Sequence, residues 1–556
     1  MNKKVCSFPI LFALLALLIG TCAVVFPASA QAAPTSTGSI TVSGTVARSY
    51  DAYQIFSANV VDGDSDAKIA TDLAWASDAA RDAVLPVLHS AGMPNSQTTA
   101  QEAAEWLNTD SHLTGALSAQ LARSLQSSGA VFVALNAGTT AELPCGYWLI
   151  VADDDAIAQG EAGTAPIMAL VGGAAVTVKP KAATPKVAKH VLEDGTAAWQ
   201  KAADATVADD LYWRLSATVP ARLTAYDTYT VRFVDTMSAG LDPSKVAASM
   251  RVYVAAGADG GFDAVSAGKD GRAGTELAKG WTDITAQCAI KVAADGKTFT
   301  VRTGDLIAAL GGADAFTAGA RVVAVYNAPL NSACNHGIAK GNPNEVYLCY
   351  PRSPFADQSG DAGFTHTPSD DACAYTWDLA LTKRGSDGDK PLAGAVLSIT
   401  DDRGRTLAAD GTWDAEGKAT VTTGEDGRVT VSGVDSGKLE VRELKAPKGY
   451  IAFEGTRSVT VKAEGLDVDQ VAAAKPKLTI TAESPLRADS ADGSTGSLEA
   501  SLINTPTGTP PSITTGGFMP STGDMAMYAA AAAAVAGAAL IVVALLVKRG
   551  GGSHKE

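Results

Sequence analysis

Val187-Ala188-Lys189-His190-Val191 is the stretch on which the fold turns. In an extended chain successive side chains point to opposite faces, so Val187, Lys189 and Val191 share one side. In Val231-Arg232-Phe233-Val234-Asp235, the same parity puts Asp235 with Val231 and Phe233. In Asn344-Glu345-Val346-Tyr347-Leu348 it puts Asn344 with Val346 and Leu348. Three polar groups on the apolar faces of separate strands are costly unless they meet. Further along, Leu379, Leu381 and Lys383 share a face, as do Leu439, Val441 and Glu443, and Leu498, Ala500, Leu502 and Asn504. The order lysine, acid, asparagine therefore occurs twice. Asn342 has the parity of Asn344 and stays an alternative to it.

Around these strands the segment Pro185 to Ser369 reads as many short strands, with turns at Glu193-Asp194-Gly195, Asp259-Gly260-Gly261, Asp270-Gly271 and Asp295-Gly296. That spacing argues a β-sandwich. Upstream, Ser39 to Lys179 forms another unit, with strands at Ile40 to Val42 and Ala52 to Phe56. Two helices are expected next, one over about 67–89 and one from Thr98 or Thr99, where Gln101 or Glu102 closes a capping box, to about Leu125. Strands return at Val131 to Leu135, Tyr147 to Ala152, Ile167 to Val171 and Ala174 to Val178. Lys179-Pro180-Lys181-Ala182-Ala183-Thr184-Pro185 is a proline-bearing linker that cannot continue a sheet.

The 556 residues carry a formal charge of −15 with no basic patch, which argues against nucleic acid as a partner. Six histidines without metal-ligand spacing give no metal site and no cofactor. Asp62-Gly63-Asp64-Ser65-Asp66 reads as a polar turn, since Ala67 and Leu73 stand where a calcium loop needs Gly and Glu. No nucleophile, base and orienting acid line up, so the chain is not expected to be an enzyme.

Both ends read as processed. Lys3-Lys4, an apolar stretch from Ile10 to Val25 and the small-residue site Ala28-Ser29-Ala30 predict a signal peptide. Near the other end, Met519-Pro520-Ser521-Thr522-Gly523 precedes an apolar run of about 23 residues, long enough to span a bilayer as a helix. Lys548-Arg549 follow it and place that end in the cytoplasm. Five cysteines remain after export; an oxidising exterior permits disulfides, four of the five allow three connectivities, and Cys288 with Cys334 and Cys349 with Cys373 is the expected pairing, leaving Cys145 over.

The Met-Pro-Ser-Thr-Gly stretch with its span and basic tail resembles the LPXTG-type cell-wall sorting signal of Gram-positive surface proteins, with Met519 at the usual leucine. Several segments resemble class C sortase-assembled backbone pilins. These are Tyr50 to Phe56, Cys145 to Ile150, Asp235 to Leu241, Gly341 to Val346, Lys383 to Ala395 and Glu443 to Tyr450, the last two similar to the opening strand and the E box of Cna-B domains. Val178-Lys179-Pro180-Lys181 resembles the pilin motif, with Lys179 at its tyrosine.

The resemblance implies a mainly β chain of three tandem immunoglobulin-like, Cna-type β-sandwich domains, the first with inserted helices. The expected division is signal peptide 1–32, domains 33–180, 181–370 and 371–506, linker and sorting motif 507–523, transmembrane helix 524–547 and cytoplasmic tail 548–556. It also implies that a class C sortase cuts after Thr522 and joins it to Lys181, with Lys179 as the alternative, of a neighbouring subunit. Minor pilins, and peptidoglycan reached through a housekeeping sortase, are the further partners implied. In the family, Lys189 with Asn344 and Lys383 with Asn504 form intramolecular isopeptide bonds, assisted by Asp235 and Glu443. The expected product is a wall-anchored fimbrial shaft whose precursor is transiently membrane-inserted. The alternative is a monomeric sortase-anchored adhesin; no host ligand is legible.

Overall fold

The computed structural model describes residues 36–508 except 45–47, 65–66, 110–111, 181–183, 222–224, 269–271 and 313–317. The expected signal peptide, Lys181, Met519 to Gly523, the apolar run and the residues after it lie outside the described residues. Among the described residues no helix is long and apolar enough to cross a membrane, and no His/Cys/Asp/Glu group has metal-binding geometry.

The molecule is mainly β and modular. In the first module the long strand Ser49–Asp62 pairs along one edge with Gly146–Ala152. Its other edge is shared by Phe132–Asn136 and Lys68–Trp75. A second sheet of Thr140–Pro144, Thr37–Val42 and Val176–Val178 buries Ile40, Val42 and Val178 against Tyr50, Trp148 and Ile150. On the opposite face the helices Asp78–Ser90, Ala100–Leu107 and Gly115–Ser127 cover Tyr53, Ile55 and Phe56 with Val84, Leu88, Leu121 and Leu125.

The helices differ from expectation in two places. Residues 68–75 form a strand because Ile69, Thr71 and their neighbours continue the hairpin with Ser49–Asp62, and helix starts only where the Ser77 hydroxyl accepts from the Ala80 amide. The expected second helix is two, each with its own threonine cap. The Thr99 hydroxyl accepts from the Glu102 amide at 3.2 Å, and Glu102 accepts from the Thr99 amide at 2.9 Å, closing the capping box. Thr114 caps the other.

The second module is a sandwich. One sheet runs Ala198–Gln200, Lys186–Glu193, Tyr212–Val219, Ala320–Asn327, Arg251–Ala256, Trp281–Asp283. The facing sheet contains Asp370–Tyr375, Asn342–Pro351, Arg232–Met237 and Thr298–Arg302 side by side. The expected break at 370/371 falls inside the first of these strands, which pairs Ala372 with Asn344, so the sandwich continues through Tyr375. In the third module Trp377–Gly385 lies parallel to Ser497–Pro506, and Val396–Thr400, Gly437–Lys445 and Thr456–Glu464 form the core of the opposing sheet.

The joints are packed. Phe355, from the loop after Asn342–Pro351, enters the helical core of the first module. Ala202, Cys373 and Tyr375 of the second module belong to the core of the third.

The cysteines correct the expected disulfides: Cys288, Cys334, Cys349, Cys373 and Cys145 are all free thiols. Cys373 lies opposite Pro343, and Cys349 is six residues farther along that strand, about 20 Å away at strand rise. A disulfide needs Cα atoms ~4.4–6.8 Å apart. The Cys288 thiol instead donates to the Ile284 carbonyl at 3.3 Å, and Cys334 faces His336 Nε2 at 3.6 Å.

Candidate functional site: two buried lysine, acid and asparagine clusters

In the second module Lys189 projects from Lys186–Glu193 and meets Asp235 and Asn344 of the facing sheet. Asp235 lies opposite Val346, and Asn344 opposite Met237, so the acid and the amide sit on adjacent strands. All three residues are 0% exposed, and this decides their chemistry because no water solvates them. Lys189 Nζ is ion-paired with Asp235 Oδ2. Burial pulls the lysine down from 10.5 to about 8, opposed by the Asp235 carboxylate. Burial raises Asp235 above its ordinary value, opposed by Lys189.

Tyr326, on Ala320–Asn327 of the lysine's own sheet, completes the cluster. Its hydroxyl accepts from Lys189 Nζ at 2.9 Å and from Asn344 Nδ2 at 2.8 Å, and donates to Asp235 Oδ2 at 3.1 Å. Burial lifts its phenol well above 10. The Tyr326 ring packs edge-on against Phe299 at 4.8 Å, and Lys189 Nζ lies 5.6 Å from the Trp213 ring centroid. Asp235 Oδ1 and Asn344 Oδ1 are buried without partners. A proton on the Asp235 carboxyl supplies a donor of the kind that the amide carbonyl lacks.

Asn342 and Asn344 are both buried, with different surroundings. Asn342 accepts from the Asn335 amide at 2.8 Å and donates to the carbonyls of Asn335 at 2.9 Å and Ala374 at 3.2 Å, holding a loop with its whole amide. Asn344 faces the lysine cluster.

The third module builds its cluster differently. Lys383 and Asn504 come from parallel neighbours, with Lys383 level with Leu502 and Gly385 level with Asn504. Glu443 reaches them from the opposing sheet. Lys383 Nζ contacts the Asn504 carbonyl oxygen directly and lies 3.1 Å from Glu443 Oε1. Asn504 Nδ2 donates to Glu443 Oε1 at 2.9 Å and Oε2 at 3.0 Å, and Glu443 Oε2 also accepts from the Phe453 amide at 3.1 Å. Burial lowers Lys383 from 10.5 to about 8, against the pull of Glu443.

Gly427 helps to set Lys383. It has φ +74, its carbonyl accepts from the Lys383 amide at 2.8 Å, and a Cβ on it falls 2.8 Å from the Lys383 carbonyl oxygen. Lys179 is exposed at the end of the first module.

Comparison with known proteins finds similarity over parts of the chain. Residues 378–475 match the family described as "SpaA: Prealbumin-like fold domain". The trypsin-resistant surface T6 protein of Streptococcus pyogenes serotype M6 is 30% identical over 143 residues, 24% of this chain and 24% of that protein. The chain thus matches about a quarter of that relative's length. Among solved structures, the T6 backbone pilin of serotype M6 Streptococcus pyogenes aligns with TM-score 0.47 and 16% identity over 86% of this chain and 100% of that one. The major pilin SpaA of Corynebacterium diphtheriae aligns with TM-score 0.39 and 13% identity over 84% and 99%. The third module therefore contains the match to the SpaA prealbumin-like fold domain, and about a quarter of the chain is similar to a streptococcal surface protein.

Proposed function

We propose that this chain is the shaft subunit of a covalently polymerised surface fimbria, stiffened by Lys189–Asn344 and Lys383–Asn504 isopeptide bonds. The observation that carries the reading is the pair of dry clusters. An amine lowered to about 8 beside a carboxamide and an acid is a nucleophile facing its electrophile. The amine nitrogen bonds to the Asn Cγ, the Cγ–Nδ2 bond breaks, and the proton lost by the amine leaves on ammonia. No oxidant or cofactor takes part. The product also removes the cost of a buried ion pair, because a neutral amide replaces a charged lysine.

Closing about 155 residues between Lys189 and Asn344 restricts the unfolded chain by about 5 kcal/mol if the disulfide loop formula transfers. In the third module the proposed bond ties the opening strand to the closing one, so tension entering beyond Asn504 passes to Lys383 without unzipping the sandwich.

For assembly, Thr522 is the acyl donor and Lys181 the amine, supplied by a class C sortase, with minor pilins and peptidoglycan attachment as further steps at the cell surface. Wall-released material boiled in detergent is expected to run as a high-mass ladder. Tandem mass spectrometry of the ladder is expected to find Thr522 amide-linked to Lys181. A single wall-released band indicates the monomeric adhesin instead, and a ladder unchanged in Lys181→Ala with Lys179 intact removes Lys181 as the acceptor.

A further inference from the structure

We propose that Tyr326 is a catalytic residue of the middle module's bond formation, passing a proton from Lys189 Nζ to the departing Asn344 nitrogen. The inference rests on the proposed Lys189–Asn344 bond and assigns its proton path. In the third cluster Asn504 Nδ2 donates to both oxygens of Glu443, so the acid itself stands at the leaving group. In the middle cluster, among the described residues, no carboxylate oxygen accepts from Asn344 Nδ2. The atom there is the Tyr326 hydroxyl, at 2.8 Å. Aspartate is one methylene shorter than glutamate, and toward the asparagine nitrogen the phenol takes the acceptor role that the longer acid has in the other module.

The same hydroxyl accepts from Lys189 Nζ at 2.9 Å. It therefore touches both nitrogens between which a proton must move. At rest the hydroxyl gives its one proton to Asp235; once attack has made Cγ tetrahedral and Nδ2 a basic amine, the hydroxyl turns that proton to Nδ2 as it takes one from the attacking Nζ. The balance is closed: the Nζ–Cγ bond forms, the Cγ–Nδ2 bond breaks, Nζ loses one proton, Nδ2 gains one, and Tyr326 ends as it began. Because its phenol is held well above 10, it stays neutral throughout. Water cannot substitute easily, since Tyr326, Lys189 and Asn344 are all 0% exposed. Asp235, which accepts from the Tyr326 hydroxyl at 3.1 Å, holds the hydroxyl oxygen within reach of both nitrogens until the proton turns to Nδ2.

Tyr326→Phe keeps the ring packed on Phe299 and removes only the hydroxyl. The test is a pulse-labelled full chain sampled over time and digested, following the peptide that joins Lys189 to Asn344. The peptide joining Lys383 to Asn504 in the same molecules reports that folding is intact. In Tyr326→Phe the middle bond is expected to form at least about tenfold more slowly, with the third module's bond unchanged. Equal rates for the middle bond in Tyr326→Phe and wild type overturn the role of Tyr326 alone. Wild type lacking that peptide overturns the bond itself and the proton path with it.

Discussion

At the residue scale, the two lysines are the groups through which pH acts. Lys189 and Lys383 ionise at about 8 rather than 10.5 because burial disfavours their ammonium forms more than Asp235 and Glu443 favour them. The proposed attack on asparagine needs the neutral amine. The rate of ammonia loss from newly folded chains is therefore expected to rise about tenfold per pH unit below 8 and to level off above it. Intact mass followed against time at several pH values checks this, and a rate independent of pH between 6 and 8 contradicts it. The lysines, acids and asparagines were legible in the sequence because each interrupts an apolar face at period two. Tyr326 was not legible, since in Ala320–Asn327 both faces are buried and a tyrosine reads as one more strand residue. Asn342 and Asn344 have one parity and could not be separated by it; their different hydrogen-bond partners separate them. The disulfides failed for a related reason. Export permits pairing, but only register shows that Cys349 and Cys373 lie at different heights on neighbouring strands.

At the element scale, strand pairing brings the lysine, acid and asparagine of each cluster together, and a turn glycine holds the Lys383 strand. Lys383 is held at both ends of its peptide unit: its amide donates to Gly427, and its carbonyl accepts from the Leu392 amide at 2.9 Å. Gly427→Ala puts a methyl against that carbonyl at a left-handed φ, at a cost of about 1–2 kcal/mol. The expected outcome is a lower melting temperature for the third module and slower Lys383–Asn504 closure, with the Lys189–Asn344 bond unaffected. Calorimetry and peptide mapping read the two effects, and an unchanged closure rate means that Gly427 does not set the lysine. The same scale explains which elements were legible. The first module's strands were readable from their β-branched and aromatic runs. Its helical region was misjudged because residues 68–75 lack a clean 3.6 period and are claimed by pairing with the long strand Ser49–Asp62. A nearly continuous apolar pattern is divided into two separately capped helices, one ending at Leu107 and the next opening after Thr114.

At the scale of the whole molecule, the joint between the second and third modules gathers acids from both. Asp204 Oδ2 accepts from Trp377 Nε1 at 2.6 Å and from the Ser436 amide at 2.9 Å, across the boundary. Glu193 accepts from the Asp204 amide at 3.1 Å. Burial, then the neighbouring Asp204 and Asp194, push Glu193 from 4.5 up to about 8. Burial and the same acids raise Asp435 well above its ordinary value. At the rim, Arg405 pairs with Asp209 at 2.5 Å and Asp401 at 2.7 Å, and Arg403 pairs with Asp194 at 3.2 Å. A carboxyl whose folded pKa is raised gives stability that is complete below about 4.5 and is lost as pH rises through about 8. Glu193 therefore strengthens the joint in mild acid and weakens it in mild alkali, by up to about 5 kcal/mol at the full shift and less where coupled acids share it. His190, lowered to about 4 by burial and by Arg214, works in the opposite direction as pH falls from 6.5. The informative quantity is consequently the difference between wild type and Glu193→Gln. Glutamine keeps an acceptor for the Asp204 amide and cannot ionise. Melting of the second and third modules is expected to depend more steeply on pH in wild type than in Glu193→Gln between pH 5 and 9, with the variant the more stable at the alkaline end. Parallel curves across that range would show that Glu193 does not govern the joint.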